Sequence, residues 1–111
     1  MEICTGIVTF WNAQRQYGFI QPHLGGKTVH FTLAGRSTIT ETEPGTLDFK
    51  KDPTVSCPKR GDEVVYAPPK GNQKGPTTYR FAPAEIYRAA AQAIAKRAYE
   101  ERQRAAHPHC A

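Results

Sequence analysis

Arg15-Gln16-Tyr17-Gly18-Phe19-Ile20-Gln21-Pro22 is the stretch on which the reading of this chain turns. Tyr17 and Phe19 stand two residues apart, so in a strand both rings leave the same face. Gly18 sends no side chain to the opposite face, which permits close packing or a sharp bend. Upstream, Gly6-Ile7-Val8-Thr9-Phe10-Trp11 is rich in β-branched and aromatic residues and reads as a strand. Asn12-Ala13-Gln14-Arg15-Gln16 is the polar turn between the two. Downstream, Pro22-His23-Leu24-Gly25-Gly26 turns the chain again, and Thr28-Val29-His30-Phe31-Thr32-Leu33 runs as a third strand. Its apolar face is Val29, Phe31 and Leu33, so His30 points outward, where Tyr17 and Phe19 can join it. Phe10 and Trp11 are adjacent, so a regular strand turns only one of them to the core. The other is exposed or sits at a bulge.

Further along, residues 34–58 are polar and weakly patterned, a long loop for a compact domain and therefore mobile or functional. Lys59-Arg60-Gly61-Asp62 turns into a fourth strand, Glu63-Val64-Val65-Tyr66, and a Pro/Gly-rich loop over 68–76 leads to a fifth, Thr77-Thr78-Tyr79-Arg80-Phe81. The expected fold is mainly β: five short antiparallel strands closed into a small barrel, which removes exposed sheet edges, followed by one C-terminal α-helix. All nine glycines precede Pro83, and the alanine-rich stretch 84–106 has neither Gly nor Pro, so it reads as that helix. Pro83 suits its entrance, and Glu85 complements the positive end of its dipole. The chain thus divides into a barrel over 1–83, a helix over 84–106 and a flexible tail over 107–111.

At 111 residues the chain fits one domain with a short appendage, which excludes a large multidomain enzyme. No apolar run approaches the ~20 residues of a membrane-spanning helix, and Met1-Glu2-Ile3-Cys4-Thr5-Gly6 has no signal-peptide character. A soluble, cytoplasmic protein is expected. Cys4, Cys57 and Cys110 are an odd, scattered set that reads as reduced thiols rather than a disulfide framework. His107-Pro108-His109-Cys110 supplies only three donors at a chain end, and reads as a tail before it reads as a metal site. Asp62 and Glu63 point to opposite faces of a strand, a poor acid/base pair, and no nucleophile motif is present. An enzyme is not expected, nor is a metal or nucleotide cofactor.

The 15 Lys+Arg against 10 Asp+Glu leave a formal charge of +5, compatible with a polyanionic partner. Phe10, Trp11, Tyr17, Phe19 and His30, with Arg15, Lys27, Lys74 and Arg80 nearby in the chain, match a single-strand-binding design. In that design bases stack on flat side chains while cations follow the phosphates. The alternative is that these rings simply fill a small core.

Four separated blocks then resemble the cold-shock domain family. Thr5-Gly6-Ile7-Val8-Thr9-Phe10-Trp11-Asn12 is similar to its opening strand, and Arg15 to Pro22 to its first ribonucleoprotein motif, Lys-Gly-Tyr/Phe-Gly-Phe-Ile-x-Pro. Val29-His30-Phe31 falls where its second motif, Val-Phe-Val-His-Phe, is expected. Arg60 to Tyr66 and Lys74 to Thr78 resemble its fourth and fifth strands. The resemblance covers most of residues 3–83. It implies an OB-fold that binds single-stranded RNA or DNA on its aromatic face, often as an RNA chaperone.

The chain also departs from the pattern. Trp-Phe is inverted to Phe10-Trp11, Thr9 stands for a lysine, Gln16 for a glycine, and one ring of the second motif is missing. The loss of one base stack implies binding weaker by about 1–3 kcal/mol than that of a typical member. Phe49, between Asp48 and Lys50-Lys51, is either a replacement ring or an anchor that packs down. The helix carries a stripe of Ile86, Tyr87, Ala90, Ala91, Ile94, Ala95, Ala98 and Tyr99. That stripe folds back on the barrel or makes a homodimer; in the second case the protein is an interaction module with a degenerate nucleic-acid face.

Overall fold

A computed structural model describes residues 3–72 and 75–106. Lys74 and the 107–111 segment, both singled out in the sequence, lie outside the described residues. The chain runs through β1 (Cys4–Asn12), β2 (Tyr17–Pro22), β3 (Val29–Thr32), a 3-10 turn (Leu33–Gly35), β4 (Ser37–Glu43) and β5 (Thr46–Lys51). It continues through β6 (Glu63–Tyr66), β7 (Lys70–Asn72), β8 (Gly75–Thr77), β9 (Phe81–Pro83) and α1 (Ala84–Ala106). The fold is mainly β with one C-terminal helix, and that helix occupies the span its composition predicts.

Among the described residues nine strands replace the five expected, for two physical reasons. The stretch 34–58 is not a long loop: it holds the antiparallel hairpin β4–β5, turning at Pro44-Gly45, where Gly45 takes φ 83°. The expected loop over 68–76 and fifth strand over 77–81 are divided instead among β7, β8 and β9, because the chain crosses there from one end of a seven-stranded sheet to the other. The sheet order is β7-β8-β3-β2-β1-β6-β9. Nor is the sheet wholly antiparallel, since β8 lies parallel to β3 with His30 opposite Thr77. β8 lies next to the edge strand β7 at one end and β9 forms the other edge, yet only residues 78–80 separate β8 from β9, a reach of about 13 Å at most. The sheet must therefore curl until its ends approach. Thr78 stitches that seam: its N–H donates to the His30 carbonyl at 2.9 Å and its hydroxyl lies 2.8 Å from the Ala67 carbonyl.

Two apolar layers follow from strand alternation. Val8, Ile20, Val29, Phe31, Val64, Tyr66 and Phe81 fill the inside of the curl. Val65, Ala82, Ala84 and Ile39 form a second layer outside it, joined by Leu47 and Phe49 of β5 and by Ile86, Tyr87 and Ala90 of α1. Successive residues Val64 and Val65, and likewise Phe81 and Ala82, belong to different layers. β6 and β9 are thus covered on both faces, which accounts for the unbroken apolar run Val64-Val65-Tyr66. Each fully buried side chain of this size contributes about 1.5–3 kcal/mol. Phe49 is an anchor in the second layer, not a replacement ring.

Only the first half of α1 is held. Ala84 is buried, Ile86, Tyr87, Ala90 and Ile94 are half-buried, and every residue from Ala95 to Gln103 is exposed. A helix of this length spans about 34 Å, so its free half draws the molecule out to 62 × 28 × 23 Å. Among the described residues one ion pair fastens the packed half, through Arg88, and a second, through Arg97, ties the helix to β4 just beyond it. Arg97 donates to both oxygens of Glu41 at 3.1 and 2.5 Å, and Arg88 pairs with Glu63, which also meets His23 Nε2 at 2.9 Å.

The Arg97 hydrogen bond, with the Gly45 N–H, holds the Glu41 carboxyl below its ordinary value of 4.5; Arg88, then His23, do the same for Glu63. Groups whose pKa is depressed on folding add stability above their unfolded pKa and lose it as the pH falls through the folded one. The melting temperature should therefore fall below about pH 4.5, and Glu41→Gln with Glu63→Gln should flatten that fall. A thermal melt series from about pH 3 to 6 checks it.

Candidate nucleic-acid interface

Thr9 decides which ring goes where. β1 and β2 pair Val8 with Ile20 but Phe10 with Phe19, so one extra residue sits in β1 between Val8 and Phe10. Such a bulge flips the side-chain parity. Val8 faces the inside, Phe10 then faces out, and Trp11 faces in again. Trp11 stacks on Phe31 at a centroid distance of 5.7 Å and 11° between planes, across from Gly18, its partner in the ladder. Gly18 is required there: a Cβ would stand 2.3 Å from the Phe10 carbonyl oxygen and 2.9 Å from Phe31 Cζ. Trp11 is therefore not part of the outer face but a plug against the core.

The outer face carries two cross-strand rows. Phe10, Phe19 and His30 lie opposite one another on β1, β2 and β3, and Asn12, Tyr17 and Thr32 form the next row. The four rings touch. Tyr17 lies 5.7 Å from Phe10 and 5.6 Å from His30 in near-parallel planes, 25° and 29° apart. Phe19 stands edge-on to all three, at 5.6–6.0 Å. All four are half-buried, their edges packed on each other and the sheet while the remainder is accessible. Asn12 and Thr32 add hydrogen-bonding groups beside Tyr17, and sequence reading placed Asn12 in the turn. Its membership of the face was legible only once the bulge had set the parity.

The cations divide. Arg15 is exposed in the turn before Tyr17, with its backbone N–H held by Asn12 Oδ1 at 3.0 Å and its side chain unpaired among the described residues. Lys27 stands in the turn between β2 and β3, on the rim of a separate cleft. Arg80 lies in the seam after β8, and its guanidinium donates to the Tyr79 carbonyl at 2.8 Å. Of the predicted set, Phe10, Tyr17, Phe19 and His30 come together, with Arg15 beside them. No acidic residue stands in either ring row, whereas Glu41 and Glu63 are engaged at the helix.

Gln16, in the turn that aims Tyr17, adopts φ 58°, the left-handed region, while its carbonyl accepts the Leu33 N–H at 2.9 Å. A non-glycine residue there costs about 1–2 kcal/mol, of which glycine's greater unfolded freedom returns about 0.5–1. Gln16→Gly should raise stability by up to about 1 kcal/mol, and Gln16→Val should lower it by at least about 1, by urea denaturation.

No model of a known protein family matches this chain, and no curated protein matches it. Among the described residues no helix is long and apolar enough to cross a membrane.

Proposed function

We propose that this chain is a single-stranded nucleic-acid-binding module of cold-shock type, its curled sheet an OB-fold, acting in the cytoplasm and without catalysis. The observation that carries this reading is the four-ring platform of Phe10, Tyr17, Phe19 and His30 on one sheet face, half-exposed among the described residues. Over β6 and β9 the outer surface of the sheet is covered by α1 and the β4–β5 hairpin. Large rings at the surface of a small protein have one sequence-tolerant use: every base has a π-face to stack on them, at roughly 1–3 kcal/mol each. Arg15 beside the platform and the net charge of +5 supply attraction to phosphate.

The test is fluorescence anisotropy of end-labelled oligo-U and oligo-dT at about 50 and about 200 mM salt. Saturable binding that weakens as salt rises supports the reading. Absence of binding at the lower salt overturns it. Tryptophan quenching is the wrong readout, because Trp11 reports the inner stack.

A second reading, self-association through α1, is favoured by the free half of the helix, where Tyr99 is 58% exposed. Sedimentation of the whole chain against one ending after Ala98 tests it. Deleting all of α1 would instead uncover Val65 and Ala82.

A further inference from the structure

A cleft of about 470 Å³ opens between the start of β1, the turn joining β2 to β3, the end of β6 and β8. That volume lies within the range of small-molecule sites, roughly 300–1,000 Å³. None of the four platform rings lines it. Its walls include Pro22, Leu24, Pro69 and Pro76. Leu24 is fully exposed, in a turn held by Gly25 and Gly26 at φ 87° and 94°, with the Gly25 N–H on the Pro22 carbonyl at 3.0 Å. A lone exposed leucine is ordinary; this one stands on the rim of a cleft that also presents two uncommitted donors.

Tyr66 is the first donor. It is 2% exposed and lines the cleft, yet its hydroxyl makes no hydrogen bond to any described residue. The hydroxyl is not among the buried polar atoms left without a partner, so it is reached from the cleft and offers its O–H there. Burial, with a smaller contribution from Cys4, also pushes its pKa up, so it remains a neutral O–H donor. Lys27 is the second, its ammonium free of any ion pair or hydrogen bond with a described residue. His23, also at the rim, is already engaged by Glu63. Both uncommitted groups donate, so the polar groups of a matching ligand are acceptors, and its charge is negative.

We propose that this cleft binds small amphipathic carboxylates, with the apolar body between Leu24 and the prolines and the acceptor end at Lys27 and Tyr66. The probe is sodium 2-naphthoate, titrated into the ¹⁵N-labelled chain and followed by NMR. Saturable shifts should centre on Leu24, Lys27, Val29 and Tyr66, with a Kd on the order of 1 mM for a ligand of this size.

Lys27→Ala and the uncharged 2-naphthamide should each weaken binding about fivefold. Tyr66→Phe should weaken it about threefold, and Leu24→Ser, at a position that supports no fold contact, by a similar factor. The absence of saturable shifts up to about 20 mM, twenty times the expected Kd, overturns the proposal. So do shifts centred on Tyr17 and Phe19, or affinity within about twofold of wild type in both Lys27→Ala and Leu24→Ser. The site does not depend on the ring platform, so oligonucleotide binding and naphthoate binding succeed or fail separately.

Discussion

Tyr17→Ala and Phe19→Ala should each weaken binding of a labelled oligonucleotide by about 1–3 kcal/mol, roughly five- to 150-fold, by removing one base stack. The same substitutions should cost folding less than a core truncation. Each ring touches three others on the outer face, and edge-to-face or offset contacts add about 0.5–1.5 kcal/mol per pair beyond burial. Truncating Phe31, fully buried between Trp11 and Phe81, should cost about 3–5 kcal/mol by comparison. Urea denaturation of each variant, set beside its anisotropy titration, separates the two roles. Folded Tyr17→Ala and Phe19→Ala proteins that bind like the parent would remove the platform from the binding mechanism. His30→Ala should behave in the same direction with a smaller loss, its ring being smaller.

Gly18→Ala should lower stability by about 3 kcal/mol or more, a large part of what a domain of this size possesses. The new methyl meets the Phe10 carbonyl, which is backbone held in the β1–β2 ladder, and the Phe31 ring, which is wedged between Trp11 and Phe81. Neither obstacle is the far end of a flexible side chain, so relief requires moving β1 or repacking the core. Trp11 emission is the natural readout, since its stack lies directly over this position. A loss under about 1 kcal/mol would mean that the Trp11–Phe31 stack does not close over Gly18 as described.

The β1–β3 meander was readable residue by residue, because its alternation is strong and its turns are rich in Gly, Pro and Asn. Tyr17 and Phe19 sharing a face with His30 needed only the two-residue period. The choice between Phe10 and Trp11 was not readable, since it depends on where the extra residue falls, and Thr9 carries no local mark of a bulge. The β4–β5 hairpin escaped for a different reason. It buries only Ile39, Leu47 and Phe49 against α1 and β9, too few apolar residues in fifteen positions to stand out from polar loop. Pro44-Gly45 was its one clear punctuation. The division of β7, β8 and β9 and the cleft beneath them are assembled from segments far apart in the chain. No window of sequence contains them.

The crossing at residues 78–80 sets an order on how this molecule comes together. Its meander joins neighbours 5 to 16 residues apart, contacts of the kind that form early. By contrast β8 must reach back 47 residues to His30, β6 must reach back 56 to 62 residues to β1, and Arg36 bridges 45 residues to Phe81. Contacts of that separation carry a loop-closure penalty before they return anything, and they slow folding. The ring platform thus belongs to the part that forms first, and the seam at Thr78 to the part that closes last. Local opening should begin at the seam, with the amides of residues 75–83 exchanging with solvent ahead of those in β1 and β2.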